Sequence, residues 1–118
     1  MVVGIGMNGH IGFNEPGVCF DNYSDVIDLD ENTQSVGQKY FKEKMALKKG
    51  ITLGLKHFLE AKKGIVVANG TKKASIIQWA VKGPVSNQTP ASIIQQHPNG
   101  WVMIDKDAAS QIISDENK

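Results

Sequence analysis

The side chains best suited to chemistry lie close together in the stretch "VVGIGMNGHIGFNEPG", residues 2–17, where His10 is followed five residues later by Glu15. The imidazole of histidine titrates near pH ~6.5, which suits proton transfer at neutral pH. A carboxylate bonded to one ring nitrogen fixes the tautomer and makes the other nitrogen a better base. This pattern is typical of a catalytic loop. A structural turn in which His10 only bonds the backbone fits the spacing equally well, and both interpretations stay open at this point.

The glycines of the same stretch raise the possibility of a dinucleotide site. Gly4, Gly6 and Gly9 spell G-x-G-x-x-G directly after an apolar run. That fingerprint requires the loop to open a helix at once, so that the helix N-terminus meets the pyrophosphate. Residues 10–17 contain further glycines and Pro16, which do not hold a helix. The sequence therefore favours a loop whose backbone can approach a ligand over a dinucleotide cradle.

A second candidate site follows the apolar run "GIVVANG". The segment "GTKKA", residues 70–74, opens the next helical pattern. Free amides and the positive end of a helix attract an anion, and Lys73 adds a point charge. Lys72 and Lys73 could instead be ordinary solvated residues of a first turn. Lysine is mildly unfavourable there against the helix dipole, which favours the anion-binding interpretation.

Strand patterns alternate with helical patterns along the chain. Buried strands are predicted at residues 2–5, 64–70 and 101–104, an edge strand at 25–29 and a surface loop at 42–50. Helices are predicted to begin at Glu31 and to cover 55–62, 71–82 and 90–96, and a last helix is predicted to follow Asp105. Asp30 and Asp105 are predicted to cap the first and the last of these helices. The predicted fold is a single α/β domain over residues 1–118, with a mainly parallel sheet flanked by helices in a Rossmann-like three-layer arrangement.

Composition narrows the functional classes. The net charge of the 118 residues is only +1, so neither nucleic acid nor an acidic membrane surface is indicated as a partner. No stretch approaches the ~20 apolar residues of a membrane span, and the N-terminus does not resemble a signal peptide. Cys19 is the only cysteine, which excludes a disulfide within the chain and fits a reducing cytosol. We expect a cytoplasmic protein with a packed Cys19 thiol.

The remaining notable side chains have structural interpretations. The three histidines lack the spacing of metal ligands, so no zinc site is predicted. His57 is expected at the surface, and His97, at a helix end before a proline, is expected to have a structural role. Trp79 and Trp101 are predicted to be core or interface residues.

Residues 8–17, "NGHIGFNEPG", closely resemble the signature of glucosamine-6-phosphate deaminases, also called glucosamine-6-phosphate isomerases. The resemblance continues in order through "LDENT", "ITLGL", "ANGTKKA", "KGPV", "PASIIQQHPN" and "DKDAA", and so covers nearly the whole chain. Lactonases of the same fold have a related loop but lack the "GFNEP" continuation. The matching part is the C-terminal half of the family. The family's N-terminal half, with its glycine- and serine-rich phosphate loop and its proton-abstracting aspartate, has no match here.

The resemblance implies an activity and a set of roles. Members open the ring of glucosamine 6-phosphate, move a proton between C2 and C1, and release ammonia to leave fructose 6-phosphate, without a metal or redox cofactor. By matching positions, His10 would be the acid and base of ring opening, Glu15 would pair with it, and Asn8 would complete the trio. Many members have aspartate where Asn8 stands. Lys73 would bind the substrate phosphate.

The resemblance also marks departures from the family. Lys39 stands where an arginine usually makes a second phosphate contact, and lysine lacks the planar fork of arginine. Weaker phosphate binding or a somewhat different ligand is therefore expected. Segment 25–52 corresponds to the family's lid. Because the proton-abstracting half is missing, we expect little or no deaminase activity from the chain alone.

Three functional interpretations follow. The first is an enzyme of amino sugar metabolism and N-acetylglucosamine catabolism, or part of one, with glucosamine 6-phosphate or galactosamine 6-phosphate as substrate and a possible homo-oligomeric state. The second is a sugar-phosphate-binding module without catalysis. The third is an incomplete reading frame without an independent role, for which an exposed sheet edge at residues 2–5 and poor solubility would be evidence.

Overall fold

The computed structural model describes residues 1–29, 31–43 and 47–116. Within these ranges five strands and four α-helices follow one another in the order β1 (Val2–Gly4), β2 (Ser24–Asp28), α1 (Glu31–Gly37), β3 (Lys49–Leu53), α2 (Leu55–Glu60), β4 (Gly64–Ala68), α3 (Ala74–Lys82), β5 (Gly100–Ile104) and α4 (Ser110–Glu116). Short 3-10 helices occupy Gln38–Tyr40, Thr71–Lys73 and Pro90–Gln96. Asp30, predicted to cap the first helix, lies outside the described residues.

The main sheet has three parallel strands in the order β1-β4-β5. Val3 lies beside Val66, which lies beside Val102, so that one row of β-branched side chains crosses the sheet. Such side chains pack well on a pleated surface. The predicted parallel sheet with flanking helices is confirmed.

One face of this sheet carries the core. The central row packs against apolar residues of the helices and of the 3-10 helix Pro90–Gln96. Residues in this core with at most 2% exposure are Ile11, Leu55, Phe58, Val66, Ile77, Ala80, Ala91 and Ile93. The helix predicted over 71–82 is present as α3, which turns Ile77 and Ala80 onto the sheet.

The opposite face of the sheet is open in the part of the chain that the structure describes. Val2, Val67, Trp101 and Met103 alternate with the core-facing residues and are between 38% and 63% exposed. The prediction that these strands are buried on both faces is therefore wrong for the described residues. A continuous apolar run predicts a strand with two apolar faces, but it does not say which parts of the molecule cover them.

A two-stranded antiparallel ribbon, β2 with β3, lies apart from the main sheet. The predicted edge strand at 25–29 is confirmed as β2. The predicted surface loop at 42–50 is wrong at its end, because Lys49 and Gly50 already belong to β3. The local pattern does not predict a strand here, and it is pairing with β2 that keeps these residues extended. The pairing also brings Lys49 Nζ within 2.9 Å of Asp28. Residues 44–46 lie outside the described residues.

Several smaller predictions are corrected by the surroundings of each residue. Cys19 is exposed, so the expected packed thiol is wrong. Trp79 is 52% exposed and lies on the outer side of α3. His97 is buried and accepts a hydrogen bond from the Asn99 amide at Nδ1, which confirms its structural role. The helices predicted to begin at 71 and to cover 90–96 are present, with residues 71–73 and 90–96 in 3-10 conformation.

Candidate active site

The loop after β1 is closed by its own backbone hydrogen bonds. The amide of Gly6 donates to the His10 carbonyl at 2.9 Å, and the amide of Gly9 donates to the Gly6 carbonyl at 3.0 Å. Gly9 has φ of 87°, a left-handed conformation that side chains rarely adopt. The glycine spacing thus builds a compact turn that presents the residues between the glycines.

Asn8, His10 and Glu15 form one connected group at this turn. The side-chain amide of Asn8 donates to Glu15 Oε2 at 2.9 Å, and its carbonyl oxygen lies 2.8 Å from His10 Nδ1. The backbone amide of His10 donates to the same oxygen at 3.1 Å. His10 Nδ1 and Glu15 Oε2 are 3.9 Å apart, within ion-pair range when the ring is protonated. The amide of Asn8 therefore stands between the histidine and the acid.

This arrangement fixes the tautomer of His10. A carboxamide oxygen only accepts hydrogen bonds, so Nδ1 must carry the proton in the pair with Asn8. In the neutral ring Nε2 is then the unprotonated nitrogen and can act as a base. Sequence spacing predicted a carboxylate bonded directly to the ring. The structure reaches the same tautomer through an amide, while the 5% exposed Glu15 stays behind it.

The ring of His10 is also positioned by Gly6. A Cβ atom added to Gly6 would overlap ring atoms of His10, including Cε1 and Nδ1. The imidazole therefore lies flat against the backbone of Gly6. The sequence indicated that this glycine gives a ligand access to the backbone, whereas in the structure it makes room for the histidine.

Two further anchors hold the loop on the rest of the molecule. The buried amide of Asn14 donates to the carbonyls of Ile11 and Leu53, both at 2.9 Å, and so ties the loop to β3. The carbonyl of Gly9 accepts from the Ala91 amide at 2.8 Å. Neither anchor could be predicted from the sequence, because each joins the loop to a segment that is distant along the chain.

Lys73 lies at the end of the 3-10 helix that precedes α3, and its side chain points back to β1. Its Nζ donates to the Ile5 carbonyl at 2.5 Å. Partial burial lowers the pKa of Lys73 below the usual 10.5, because desolvation disfavours the ammonium. The sequence placed this lysine beside free helix amides. In the structure its ammonium is held by the carbonyl of Ile5, the first residue after β1, and so lies beside the loop.

Asp105, at the end of β5, holds the turn that leads to Lys73. Its carboxylate accepts from the Gly70 amide at 3.1 and 3.2 Å and from the Ala108 amide at 2.8 Å. These bonds hold the pKa of Asp105 below its ordinary value of 3.8, with the Ala108 amide as the largest cause and Gly70 next. Sequence analysis gave Asp105 only the role of a cap. Residue spacing in the sequence does not predict the hydrogen bond that the Gly70 amide, after β4, donates to the carboxylate of Asp105, after β5.

A cavity of about 440 Å³ lies over this edge of the sheet. Its walls come from the loop after β1, from the end of α1 and from Lys73: Gly4, Ile5, Gly6, Met7, Asn8, His10, Gly12, Phe13, Val36, Gly37 and Lys73. The structure thus brings His10, Asn8 and Lys73 to one cavity, with Glu15 directly behind Asn8. Lys39 is exposed in the turn Gln38–Tyr40, two positions beyond the cavity residue Gly37, and is not part of these walls.

The described residues contain neither a cluster of metal-ligating side chains nor a membrane-spanning helix. Among them no group of three or more His, Cys, Asp or Glu side chains is arranged to hold a metal ion. No helix in the described ranges is both long and apolar enough to span a membrane.

Comparison with known proteins first defines the fold class. No family model matches the chain. A 6-phosphogluconolactonase from Trypanosoma brucei has the same fold, with a TM-score of 0.68 at 18% identity over 94% of this chain and 41% of its own. A monomeric glucosamine-6-phosphate deaminase superposes with a TM-score of 0.85 at 37% identity, over 93% of this chain and 46% of that structure. The fold is thus the one shared by these lactonases and deaminases.

Sequence similarity then points to one group within this fold class. The glucosamine-6-phosphate deaminase of Lactobacillus helveticus is 43% identical over 99% of this chain and 49% of its own length. That of Streptococcus thermophilus is 41% identical over 94% of this chain and 48% of its own length. The chain is a homologue of the glucosamine-6-phosphate deaminases, which confirms the resemblance in its motifs. It spans about half the length of the curated relatives it matches.

Proposed function

We propose that this chain supplies the ring-opening and phosphate-binding part of an enzyme that isomerises and deaminates glucosamine 6-phosphate. The observation that carries the proposal is that His10, oriented by Asn8, and Lys73 line the same cavity. A proton-transfer group and a cation at one cavity suit a ligand with a reactive sugar end and an anionic end. The names of its homologues support glucosamine 6-phosphate as that ligand.

His10 is the proposed acid and base of ring opening. Its Nε2 takes the proton of the C1 hydroxyl and returns a proton to the ring oxygen, so that the sugar opens without a net change in protonation. When the imidazole of His10 is protonated, the carboxylate of Glu15 stabilises its charge over the 3.9 Å between Nδ1 and Oε2. Asn8 carries no charge and therefore contributes orientation alone.

Lys73 is the proposed phosphate ligand. An ammonium group has three donors, so Lys73 can keep its bond to Ile5 and still donate to a phosphate oxygen. The negative charge of the phosphate would also offset the desolvation that lowers the pKa of Lys73. Lys39 is proposed as a second, weaker phosphate contact, reached by movement of the turn after α1.

The isolated 118-residue chain is proposed to bind and open the sugar but not to deaminate it, because it spans only about half the length of its relatives. The first test is calorimetric titration with glucosamine 6-phosphate, alongside a steady-state assay of ammonia release. Binding without turnover is the expected result. Normal ammonia release by the chain alone would overturn the claim that catalysis needs more than these residues, and absence of binding would overturn the proposed function.

Ring opening can be followed without the later steps. Interconversion of the α and β anomers of glucosamine 6-phosphate passes through the open chain, and exchange NMR measures its rate. The chain should accelerate this exchange, and His10→Gln should return the rate to that of buffer. His57→Gln, a histidine near the surface and outside the cavity, should retain the acceleration. Equal rates for His10→Gln and the unsubstituted chain would remove His10 from this role.

Phosphate recognition has its own matched pair of variants. Lys73→Ala should weaken binding of glucosamine 6-phosphate by about 10-fold or more, and it should leave binding of glucosamine nearly unchanged. Lys72→Ala is the control, because Lys72 is the exposed neighbour outside the cavity walls. Equal losses for both sugars, or for both lysines, would exclude a phosphate contact at Lys73. Galactosamine 6-phosphate, tested in parallel, decides between the two amino sugars.

A further inference from the structure

A tight turn beside the active-site loop is closed by one buried hydroxyl group. Ser92, at 0% exposure, accepts a hydrogen bond from the Ser86 amide at 2.9 Å and donates one to the Ser86 carbonyl at 3.0 Å. Its neighbours Ala91 and Ile93 belong to the apolar core. A hydroxyl group is costly in such surroundings unless it is hydrogen-bonded. Ser92 meets this requirement by closing the turn over residues 86–92.

Further hydrogen bonds connect the residues inside this turn. The Ser86 carbonyl also accepts from the Thr89 amide at 3.0 Å, and the Ser86 hydroxyl accepts from the Gln88 amide at 3.1 Å. The Ser92 amide donates to the Thr89 carbonyl at 2.9 Å. The Ser92 hydroxyl is the group that joins the two ends of the turn, so its removal would loosen the turn as a whole.

The active-site loop is attached to this turn at both of its ends. At one end a Cβ atom added to Gly9 would come within 2.8 Å of Thr89 Cγ2, and the Gly9 carbonyl accepts from the Ala91 amide at 2.8 Å. At the other end the Gly17 amide donates to the Asn87 carbonyl at 2.7 Å, and the Asn87 side-chain amide donates to the Gly17 carbonyl at 3.4 Å. The φ angles of the two glycines, 87° and 96°, are left-handed, so other residue types would take these positions only with strain.

The groups of the loop that could do chemistry lie between these attachments. His10 directly follows the first glycine, and Glu15 comes two residues before the second. The turn therefore sets the backbone span over which His10 Nδ1 and Glu15 Oε2 approach to 3.9 Å. Both hydrogen bonds of the Ser92 hydroxyl lie within the turn, so Ser92 acts on the imidazole only through the backbone. A displacement of about 1 Å is enough to impair a catalytic group.

We infer that Ser92 is a positioning residue for ring opening, because its hydroxyl closes the turn that holds both ends of the loop carrying His10. Its effect on the reaction rests on the proposed function of His10. Its effect on the orientation of the imidazole can be measured without any sugar. The inference and the proposed function can therefore fail separately.

Ser92→Ala tests the inference. The nitrogen NMR shifts of the His10 ring show which nitrogen carries the proton, and the bond to Asn8 requires it on Nδ1. Ser92→Ala should give a mixture of the two tautomers in the free chain. At saturating sugar it should lower the anomer-exchange acceleration by about 10-fold or more. Binding of glucosamine 6-phosphate should change little, because Lys73 is held separately by the Ile5 carbonyl.

Two results would overturn the inference. Ring shifts in Ser92→Ala that equal those of the unsubstituted chain would show that the turn does not orient His10, whether or not the sugar binds. In a chain that accelerates anomer exchange, an unchanged rate in Ser92→Ala would remove Ser92 from the reaction.

Gln95→Ala is the matched control. Gln95 lies in the same 3-10 helix, and its side-chain amide also makes two hydrogen bonds, to the carbonyls of Ala80 and Gly83. This variant should lower the Tm but leave the ring shifts of His10 and the exchange rate unchanged. An equal change of the ring shifts in Gln95→Ala would assign the effect to general loosening of the fold and would overturn the inference.

A second variant keeps the test decisive if Ser92→Ala does not fold, which circular dichroism would check. Thr89→Ser keeps a hydroxyl group and the backbone bonds of residue 89 but removes the methyl group that lies against Gly9. It should change the ring shifts in the same direction and lower the exchange rate by a smaller factor. Ring shifts that do not respond to Thr89→Ser would show that the loop does not depend on this turn.

Discussion

At the level of single residues, the orientation of His10 depends on two neighbours with no charge. Asn8 sets the tautomer through its carbonyl oxygen, and Gly6 leaves the space in which the ring lies. A single misplaced ring can cost a large part of a catalytic effect even when the acid–base group is retained. The geometry of His10 is therefore as informative a target for mutation as His10 itself.

Gly6→Ala should displace the imidazole of His10. The new methyl group would overlap the ring, so the ring must leave its bond to Asn8 Oδ1. The expected results are a changed ring chemical shift in NMR spectra and loss of most of the anomer-exchange acceleration. Gly4→Ala is the matched control for the ring signals, because its added methyl group meets nothing within 4 Å and so leaves the ring of His10 in place. A Gly6→Ala variant with unchanged ring signals would show that the ring does not need this space.

Asp105 is the residue with the clearest dependence on pH. Its folded pKa lies below the ordinary 3.8, so its ionised form stabilises the fold above that pH, and the contribution is lost as the pH falls through the folded pKa. Asp105→Asn should lower the Tm at pH 7, and the difference from the unsubstituted chain should shrink as the pH falls to about 2. Asp107→Asn is the control, because it removes a neighbouring carboxylate but keeps the backbone amide of residue 107 beside Asp105. A difference that is constant with pH would contradict the assignment.

At the level of elements, the loop after β1 is held in place by the ribbon. Asn14→Ala would remove the side-chain donor that the carbonyls of Ile11 and Leu53 share. Each carbonyl keeps one other donor, the backbone amide of residue 14 and the Thr52 hydroxyl respectively. Each lost hydrogen bond of this kind costs about 0.5–1.5 kcal/mol. Urea unfolding should show a loss of free energy in this range, together with faster amide exchange at β3. An unchanged midpoint would show that the loop does not depend on the ribbon.

Sequence analysis found the elements whose signals are local. The strand of residues 64–68, the helix ending at Lys82 and the glycine turn around His10 all follow from patterns within one segment. It missed β3 at Lys49–Leu53, because Lys49 and Gly50 are not typical of a strand. These residues are extended because they pair with β2. It also misjudged which strand faces are covered, because coverage is set by distant segments.

The same distinction holds for the candidate site. Grouping His10 with Glu15 and adding Lys73 could be predicted from spacing and from the family resemblance. Three features could not be predicted, since each depends on tertiary geometry. They are the position of the Asn8 amide between His10 and Glu15, the space that Gly6 leaves for the ring of His10, and the hydrogen bond from the Gly70 amide to the Asp105 carboxylate. The roles of all these residues, Lys39 included, stay predictions until the variants are measured.

At the level of the whole molecule, the open sheet face should govern solubility. Met103 is 51% exposed in the middle of β5, on the face that Val67 and Trp101 share. Met103→Lys should raise the solubility of the isolated chain and lower its binding of a hydrophobic dye, because it breaks the apolar patch. Tyr40→Lys, at an exposed aromatic residue in another part of the surface, is the control for added charge.

Gly12 and Phe13 line both the cavity at His10 and a second cavity, of about 390 Å³, beside β1. A molecule that fills one cavity and shifts this shared wall changes the affinity of the other cavity for its own ligand. Linkage then requires reciprocity: a molecule that tightens sugar binding by some factor is itself bound more tightly by that factor when the sugar is present. Occupancy of the second cavity would in that case follow the concentration of the sugar.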